Sequence, residues 1–174
     1  YAVHAALGLS VSDILLQGCQ PIIVEGPSDQ HYFNAMKLYL IRHKKYAPIM
    51  ELVFMPSGGV SGVKGIVSIV GGRDDELPVV ILDADGSGKS SKDRLQSGLY
   101  QDQNDSINDV GQLLDFENGE VEDLFPPELM FRQIDRLFRD VEHESFEDTF
   151  VNGQAIVPQV EKYAEQHKIT LDKG

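Results

Sequence analysis

The sequence predicts an α/β fold with a mostly parallel central sheet, helices on both faces of that sheet, and further helical elements at the C-terminal end. Short apolar runs rich in β-branched residues alternate with stretches of helical periodicity. Such an alternation gives right-handed crossovers and therefore a parallel sheet. The hydrophobic content of 41% in 174 residues is enough for one well-filled core.

Three strands are predicted in the first half of the chain, each a short apolar run bounded by turn residues: 20–25, 50–55 and 79–83. A short lead-in helix is expected within residues 1–18. Ser28 is a suitable N-cap for a helix that continues to about Arg42. A second helix of small residues is expected over 60–70, ended by the glycine pair at 71–72.

The second half predicts fewer strands and more helix. A glycine–serine turn after residue 83 leads into a short polar helix. Residues 98–109 are polar and predict a surface loop, and 110–116 predict another strand. Two amphipathic helices follow, separated by an acidic surface link at 140–148. Their expected bounds are Pro126 to about Arg139 and Ala155 to His167.

Composition excludes several classes of protein. The net charge of −13, from 28 acidic and 15 basic residues, has the wrong sign for a domain that binds nucleic acid on its own through phosphate contacts. It is typical of a cation-binding domain or simply of a soluble acidic domain. The single cysteine, Cys19, excludes an internal disulfide and fits a reducing, cytoplasmic setting. We expect no membrane partner, since no tract of about 18 apolar residues occurs. A start at Tyr1 is typical of a fragment.

Acidic residues follow two of the predicted strands. Asp83 and Asp85 come directly after the run at 79–82, and Glu25 and Asp29 flank a Gly-Pro turn after the first strand. Ligands bind at the carboxyl edge of parallel sheets, and two carboxylates there repel each other unless a cation or proton intervenes. Taken singly, each pair also fits a structural role, as an Asx turn or as a carboxylate at a helix start.

A third acidic group precedes a predicted helix. Glu120, Glu122 and Asp123 lie within four residues, where they either compensate the helix dipole or form a metal-binding arm. Three such groups at the ends of separate elements favour a two-metal site, which needs carboxylates from several segments. Oxygen ligands suit Mg²⁺ or Mn²⁺ rather than zinc.

The run Gly86-Ser87-Gly88-Lys89-Ser90 imitates the end of a phosphate-binding P-loop. That motif needs its first glycine at position 83, where this chain has Asp83. A carboxylate there would oppose the phosphates and lacks the backbone freedom of glycine. We therefore expect no nucleotide to bind to this fragment.

The same acidic motifs resemble the Toprim signature. I-V-E-G-P-S-D at 23–29 and L-D-A-D at 82–85 give a glutamate after one strand and D-x-D after another. The V-E-G-x-S-D form, the lead-in L-G-L-S-V-S-D at 7–13 and E-V-E-D-L at 120–124 are most similar to OLD-family (overcoming lysogenization defect) nucleases. The resemblance covers nearly the whole chain as one catalytic domain, with a Toprim core over 19–116 and an acidic arm and helical part over 117–174.

The resemblance implies a DNA endonuclease that uses two Mg²⁺ or Mn²⁺ ions and is fused to an upstream ABC-type ATPase domain, absent from this chain. It implies six metal ligands: Glu25, Asp29, Asp83, Asp85, Glu120 and Glu122. Glu25, Asp83 and Asp85 would be catalytic, together with a late lysine, for which Lys173 is the candidate and Lys168 the other choice. Lys64 and Lys89 are candidate contacts to the substrate phosphate.

Other functions fit parts of the same pattern. Primase, topoisomerase and ribonuclease activities also occur on Toprim domains. A receiver-like regulatory module would bind Mg²⁺ through similar acids, although it needs an acidic pair after its first strand, which Glu25 and Asp29 imitate poorly. The expected partners are DNA and the ATPase domain, and a homodimer is left open.

Overall fold

The structure, a computed structural model, describes residues 16, 18–70, 76–141 and 143–171. Most of the predicted lead-in helix and the glycine pair at 71–72 lie outside these residues. The chain divides into two compact units. We call them the sheet unit, which comprises the chain up to Leu82 with Gly88–Asp109, and the helical unit, which comprises Asp83–Ser87 with the chain from Val110 onward.

The sheet unit is built on four strands in the order β2-β1-β3-β4. In chain order they are β1 Cys19–Val24, β2 Glu51–Pro56, β3 Val79–Leu82 and β4 Ile107–Asp109. Every described pair is parallel, and Ile22 of β1 lies opposite Phe54 on one side and Val79 on the other. The predicted α/β fold with a mostly parallel sheet is confirmed.

Three helices accompany the sheet: α1 Pro27–Arg42, α2 Val60–Val70 and α3 Gly86–Gln96. Successive strand residues point to opposite faces, so each face has its own core. On one face Ile22, Val24 and Phe54 pack with Phe33 of α1. On the other face residues of β1, β3 and β4 pack with α2 and with Leu95 of α3. Helices therefore cover both faces, as predicted.

Two predictions between 98 and 116 are wrong. Part of the expected surface loop is the edge strand β4, which is three residues long and buries Ile107. So short a strand contains no apolar run that periodicity could detect. The strand expected at 110–116 is instead a 3₁₀ helix over Val110–Leu113, and the Leu113 side chain is exposed.

Two helix starts also differ from the prediction. The helix α1 begins at Pro27, with Gly26 rather than Ser28 as its N-cap. Proline is well suited to the first helical position because its backbone torsion is already helical and it has no N–H to satisfy. The glycine–serine turn expected after residue 83 forms the first turn of α3, which starts at Gly86.

The helical unit contains α4 Pro127–Leu137, α5 Phe146–Thr149, α6 Ile156–Gln166 and a 3₁₀ helix over Val121–Leu124. Its core is aromatic, and Phe146 packs edge-on against Tyr163 with ring centroids 5.5 Å apart. The acidic stretch at 140–148 is therefore not a simple surface link. It includes the start of α5, because Phe146 is fully buried.

Within the described part of the chain, no helix has both the length and the apolar character needed to cross a bilayer.

Candidate functional site

In the sheet unit, Glu25 directly follows β1 and is fixed by a glycine-containing loop. The Ser57 N–H donates to the carbonyl of Val24 at 2.9 Å, and the Gly58 N–H donates to that of Glu25 at 2.8 Å. Gly62 in α2 lets the loop approach, since a Cβ there would lie 1.7 Å from the Ser57 carbonyl oxygen. The Oε2 atom of Glu25 is shielded from solvent, where an ionised carboxylate is costly.

Asp29 acts as a cap at the start of α1. It is 8% exposed, and its Oδ2 accepts a hydrogen bond of 2.8 Å from the Gly26 N–H. This bond is the half of a capping box in which the side chain of the third helical residue accepts from the N-cap N–H. Burial raises the pKa of the Asp29 carboxyl, and the backbone hydrogen bonds of the Glu25–Gly26 turn partly oppose that rise.

In the helical unit, two hydrogen bonds join the segment after β3 to the third acidic group. The Oδ1 of Asp83 accepts from the Val121 N–H at 3.1 Å. The Ala84 N–H donates to the Gly119 carbonyl at 2.9 Å. These bonds bring two segments more than 30 residues apart in sequence into contact. The predicted meeting of Asp83 and Asp85 with the Glu120–Glu122 segment is therefore observed within this unit.

Asp123 anchors the third acidic group from the other side. Its Oδ2 accepts from the Glu120 N–H at 2.9 Å, and its Oδ1 accepts from the Ile156 N–H at the start of α6 at 2.8 Å. Both carboxylate oxygens are thus engaged by backbone donors. Asp123 is a supporting residue, which leaves Glu120 and Glu122 as the members of this group with the predicted ligand role.

Glu120 is a carboxyl group in a strongly perturbed environment. Burial and, after it, the negative charges of Glu122, Asp85, Asp123 and Glu161 together raise its pKa from 4.5 to about 7. Two other predicted ligands, Glu122 and Asp85, are therefore close enough to repel its charge. Desolvation and like-charge repulsion are the conditions under which a bound cation or proton is most favourable.

Glu161 is an acidic neighbour that sequence reasoning missed. It lies on α6 and contributes to the negative potential at Glu120. Along the sequence it is an ordinary polar residue of an amphipathic helix, about 40 positions from Glu120. Only tertiary packing reveals the relation, and no motif or spacing signals it.

The donor chemistry of the helical-unit acids fits a hard divalent cation. Carboxylate oxygens are what Mg²⁺ and Mn²⁺ prefer. Among the described residues, no three or more His, Cys, Asp and Glu side chains are already arranged to hold an ion. Mg²⁺ is commonly held by one or two carboxylates and several waters, so a preformed cage of three is not required.

The predicted lysines have less structural support. Lys64 on α2 and Lys89 on α3 have exposed side chains. Lys173 lies outside the described residues. Lys168 is described and exposed, in a left-handed backbone conformation with φ 57° directly after α6. None of the three described lysines shows the burial found at Asp29 and Glu120.

The six predicted ligands form two groups. Glu25 and Asp29 belong to the sheet unit, and Asp83, Asp85, Glu120 and Glu122 belong to the helical unit. That both groups bind the same ions stays a prediction. Comparison with known proteins adds no assignment: no family model, no curated protein and no solved structure matches the chain.

Proposed function

We propose that this chain is a metal-dependent DNA endonuclease domain that hydrolyses phosphodiesters by a two-metal mechanism. The observation that carries the proposal is the environment of Glu120, whose pKa is raised to about 7 by burial and then by Glu122, Asp85 and further acids. Strong pKa perturbation by burial and like charges is typical of functional sites. An acidic cluster without a cation or proton would be a net cost to the fold.

Asp83, Asp85, Glu120 and Glu122 are the proposed ligands in the helical unit, and Glu25 and Asp29 are the proposed contribution of the sheet unit. Bound divalent ions would polarise the scissile phosphate, lower the pKa of water and stabilise the leaving oxygen. The Val121 N–H bond holds one oxygen of Asp83 in place. Asp123 holds the Glu120 backbone through a second bond. Such supporting bonds orient ligands before an ion arrives.

The choice of DNA and of hydrolysis rests on the resemblance of the motifs at 23–29, 82–85 and 120–124 to OLD-family Toprim domains. The same resemblance supports an upstream ATPase domain as partner, and the single cysteine, Cys19, supports a cytoplasmic setting. Lys173 remains the proposed late catalytic lysine, with Lys64 and Lys89 as phosphate contacts. The first two experiments therefore separate metal binding from cleavage.

Metal binding is tested by thermal unfolding in EDTA and in millimolar Mn²⁺. An ion at about 100 times its Kd stabilises the wild type by about 2.7 kcal/mol, which for a chain of this size is roughly 5 to 10 °C. Asp85→Asn should have two opposite effects. It removes a repelling charge and so raises Tm in EDTA, and it removes a ligand and so reduces the Mn²⁺ shift.

The control is Asp93→Asn, an exposed carboxylate on α3, which should leave both melting temperatures unchanged. The metal site is contradicted if the wild type melts at the same temperature in EDTA and in Mn²⁺. It is also contradicted if Asp85→Asn retains the full Mn²⁺ shift.

Cleavage is tested by nicking of supercoiled plasmid with Mg²⁺ or Mn²⁺. Asp83→Asn is the informative variant because its amide oxygen still accepts from the Val121 N–H while the ligand charge is lost. We expect activity to fall by more than the 10- to about 100-fold loss typical of supporting residues. A version extended past Gly174 is assayed in parallel, since the catalytic lysine is expected late in the domain. Absence of nicking by both versions, or equal nicking by Asp83→Asn, would refute the proposed endonuclease.

A further inference from the structure

The end of α1 stands apart from the rest of this acidic chain. Residues 30–50 contain no aspartate or glutamate, although the whole chain has 28. The same 21 residues contain four of the 15 lysines and arginines. Lys37 is paired with Glu51 at 2.7 Å, whereas the side chains of Arg42, Lys44 and Lys45 are exposed. We call residues 38–46 the basic end of α1.

The basic end is exposed on every side. Residues 38–47 are all exposed, and the first five of them belong to α1. Successive helical residues are rotated by about 100°, so four in a row point all round the helix axis. The exposed side chains include Tyr39 and Tyr46 as well as aliphatic residues. A contiguous exposed patch of this kind, rather than scattered apolar residues, marks an interaction surface.

An internal comparison separates this surface from an ordinary helix end. Both α1 and α6 end in the same way: a tyrosine ring packs on a histidine four residues later, at 4.3 Å for Tyr39–His43 and 4.5 Å for Tyr163–His167. In both, the residue after the histidine is a lysine in the left-handed region, Lys44 and Lys168. The cap geometry therefore needs no functional explanation.

The two helix ends differ in what surrounds that motif. Tyr163 is 2% exposed and its hydroxyl donates to the Glu144 carbonyl, so the tyrosine ring of the α6 pair belongs to a core. Tyr39 is 56% exposed. After α6 the lysine is followed by Ile169, which is partly buried. After α1 it is followed by Lys45, which is exposed. The tyrosine ring that is buried at the end of α6 is therefore exposed to solvent, among cations, at the end of α1.

We propose that the basic end of α1 binds single-stranded DNA, with Arg42, Lys44 and Lys45 contacting phosphates and the rings of Tyr39, His43 and Tyr46 stacking on unpaired bases. The inference rests on the proposed function, in that DNA is the substrate. It supplies a nucleic-acid contact that the net charge of −13 otherwise opposes. Cations interleaved with exposed rings are the combination by which proteins bind unpaired strands.

Binding is tested in EDTA, where no cleavage occurs, by fluorescence anisotropy of a labelled oligothymidylate of about 20 nucleotides and of a duplex of equal length. Three phosphate contacts on a single strand predict a log–log salt slope near −2, or roughly 20-fold weaker binding between about 50 and about 200 mM salt. The oligothymidylate should bind more tightly than the duplex, because duplex bases are already stacked on each other.

The triple variant Arg42→Gln, Lys44→Gln, Lys45→Gln should bind at least about 10-fold more weakly and lose most of the salt slope. Its control is Arg136→Gln, Arg139→Gln, Lys168→Gln, which changes the charge equally and also alters one left-handed lysine. Tyr39→Leu keeps the bulk of the side chain and removes stacking, so it should weaken binding by about 5-fold or more. That single change also tests the inference if the triple variant does not fold.

Equal binding by the triple variant and its control would overturn the inference, as would a duplex preference or no binding at all. A wild-type dimer that becomes monomeric in the triple variant, measured by sedimentation, would assign the surface to a second copy instead.

The inference and the proposed function fail separately. Oligothymidylate binding that depends on the basic end of α1, without nicking, refutes only the endonuclease. Nicking that the triple variant leaves unaffected, with no oligothymidylate binding, refutes only the role of the basic end of α1.

Discussion

Replacement of Glu120 by glutamine should stabilise the metal-free protein at neutral pH. The Glu120 carboxyl is partly buried, and its pKa is raised from 4.5 to about 7, first by burial and then by neighbouring negative charges. In the unfolded chain the same carboxyl is solvated and titrates near 4.5. The side chain is thus a source of strain at any pH where it is ionised and no cation is bound.

The direction in which stability changes with pH follows from proton binding. Between pH 4.5 and about 7 the folded state holds a proton that the unfolded state has lost, so stability falls as the pH rises through this range and stays low above it. A shift of this size corresponds to about 3 kcal/mol, and solvent screening of a partly exposed group reduces the effect to about 1–2 kcal/mol. Glutamine stays neutral throughout, so this loss should vanish.

The assay is urea unfolding followed by circular dichroism in EDTA, at about pH 5 and about pH 8. Relative to the wild type, Glu120→Gln should gain about 1–2 kcal/mol at the higher pH and little at the lower. Glu117→Gln is the matched control, since Glu117 is exposed and only three residues away. The reasoning is refuted if Glu120→Gln has the same pH dependence as the wild type, or if Glu117→Gln gives the same gain.

Substitutions at four further positions test the framework around the candidate site by urea unfolding. Gly62→Ala places a Cβ against the Ser57 carbonyl and should lower the free energy of unfolding by about 2–3 kcal/mol. Gly65→Ala has open space around it and should raise the free energy of unfolding by up to about 1 kcal/mol. Similar values for both variants would contradict the close approach of the loop to Gly62. Tyr100→Phe removes the buried 2.9 Å bond to the Pro78 carbonyl and should cost about 1–3 kcal/mol, and a neutral effect would show that the bond contributes nothing. Asp123→Ala removes both backbone hydrogen bonds and should lower the free energy of unfolding by about 3 kcal/mol. Asp123→Asn keeps one acceptor oxygen and should lose roughly half as much. Equal losses in the two variants would argue against two separate bonds.

The sequence alone predicted β1, β2 and β3 because each is a nearly continuous apolar run. The two central strands, β1 and β3, pack on both faces of the sheet. The first and third, β1 and β3, match their predicted positions to within a residue at each end. The edge strand β4 escaped prediction because a three-residue strand with one buried side chain has no period to detect. The helix α5 escaped because Phe146 lies alone among acidic residues, and its burial depends on aromatic partners from α4 and α6.

For the candidate site, the residue types were predictable and their roles only partly so. Asp83, Asp85, Glu120 and Glu122 follow strand or turn signals, and the structure places them in one unit. The local sequence could not show that Asp123 uses both oxygens to join Glu120 to α6, because Ile156 is 33 residues away. Glu161 is a similar case, since its effect on Glu120 arises from helix packing.

Asp29 and Asp123 differ from Glu120 in how the fold compensates their charge, and this difference determines where a cation matters most. Asp29 and Asp123 have backbone N–H donors on their carboxylates. Backbone donors stabilise the ionised form at any pH and need no ligand. Burial raises the pKa of both Asp29 and Glu120. Backbone donors oppose the rise at Asp29, whereas like charges add to it at Glu120, whose pKa is raised to about 7, so that near neutral pH a proton is favoured there. At neutral pH a divalent ion can replace that proton at little cost, so the acids around Glu120, rather than Asp29, should govern the metal dependence of both stability and cleavage.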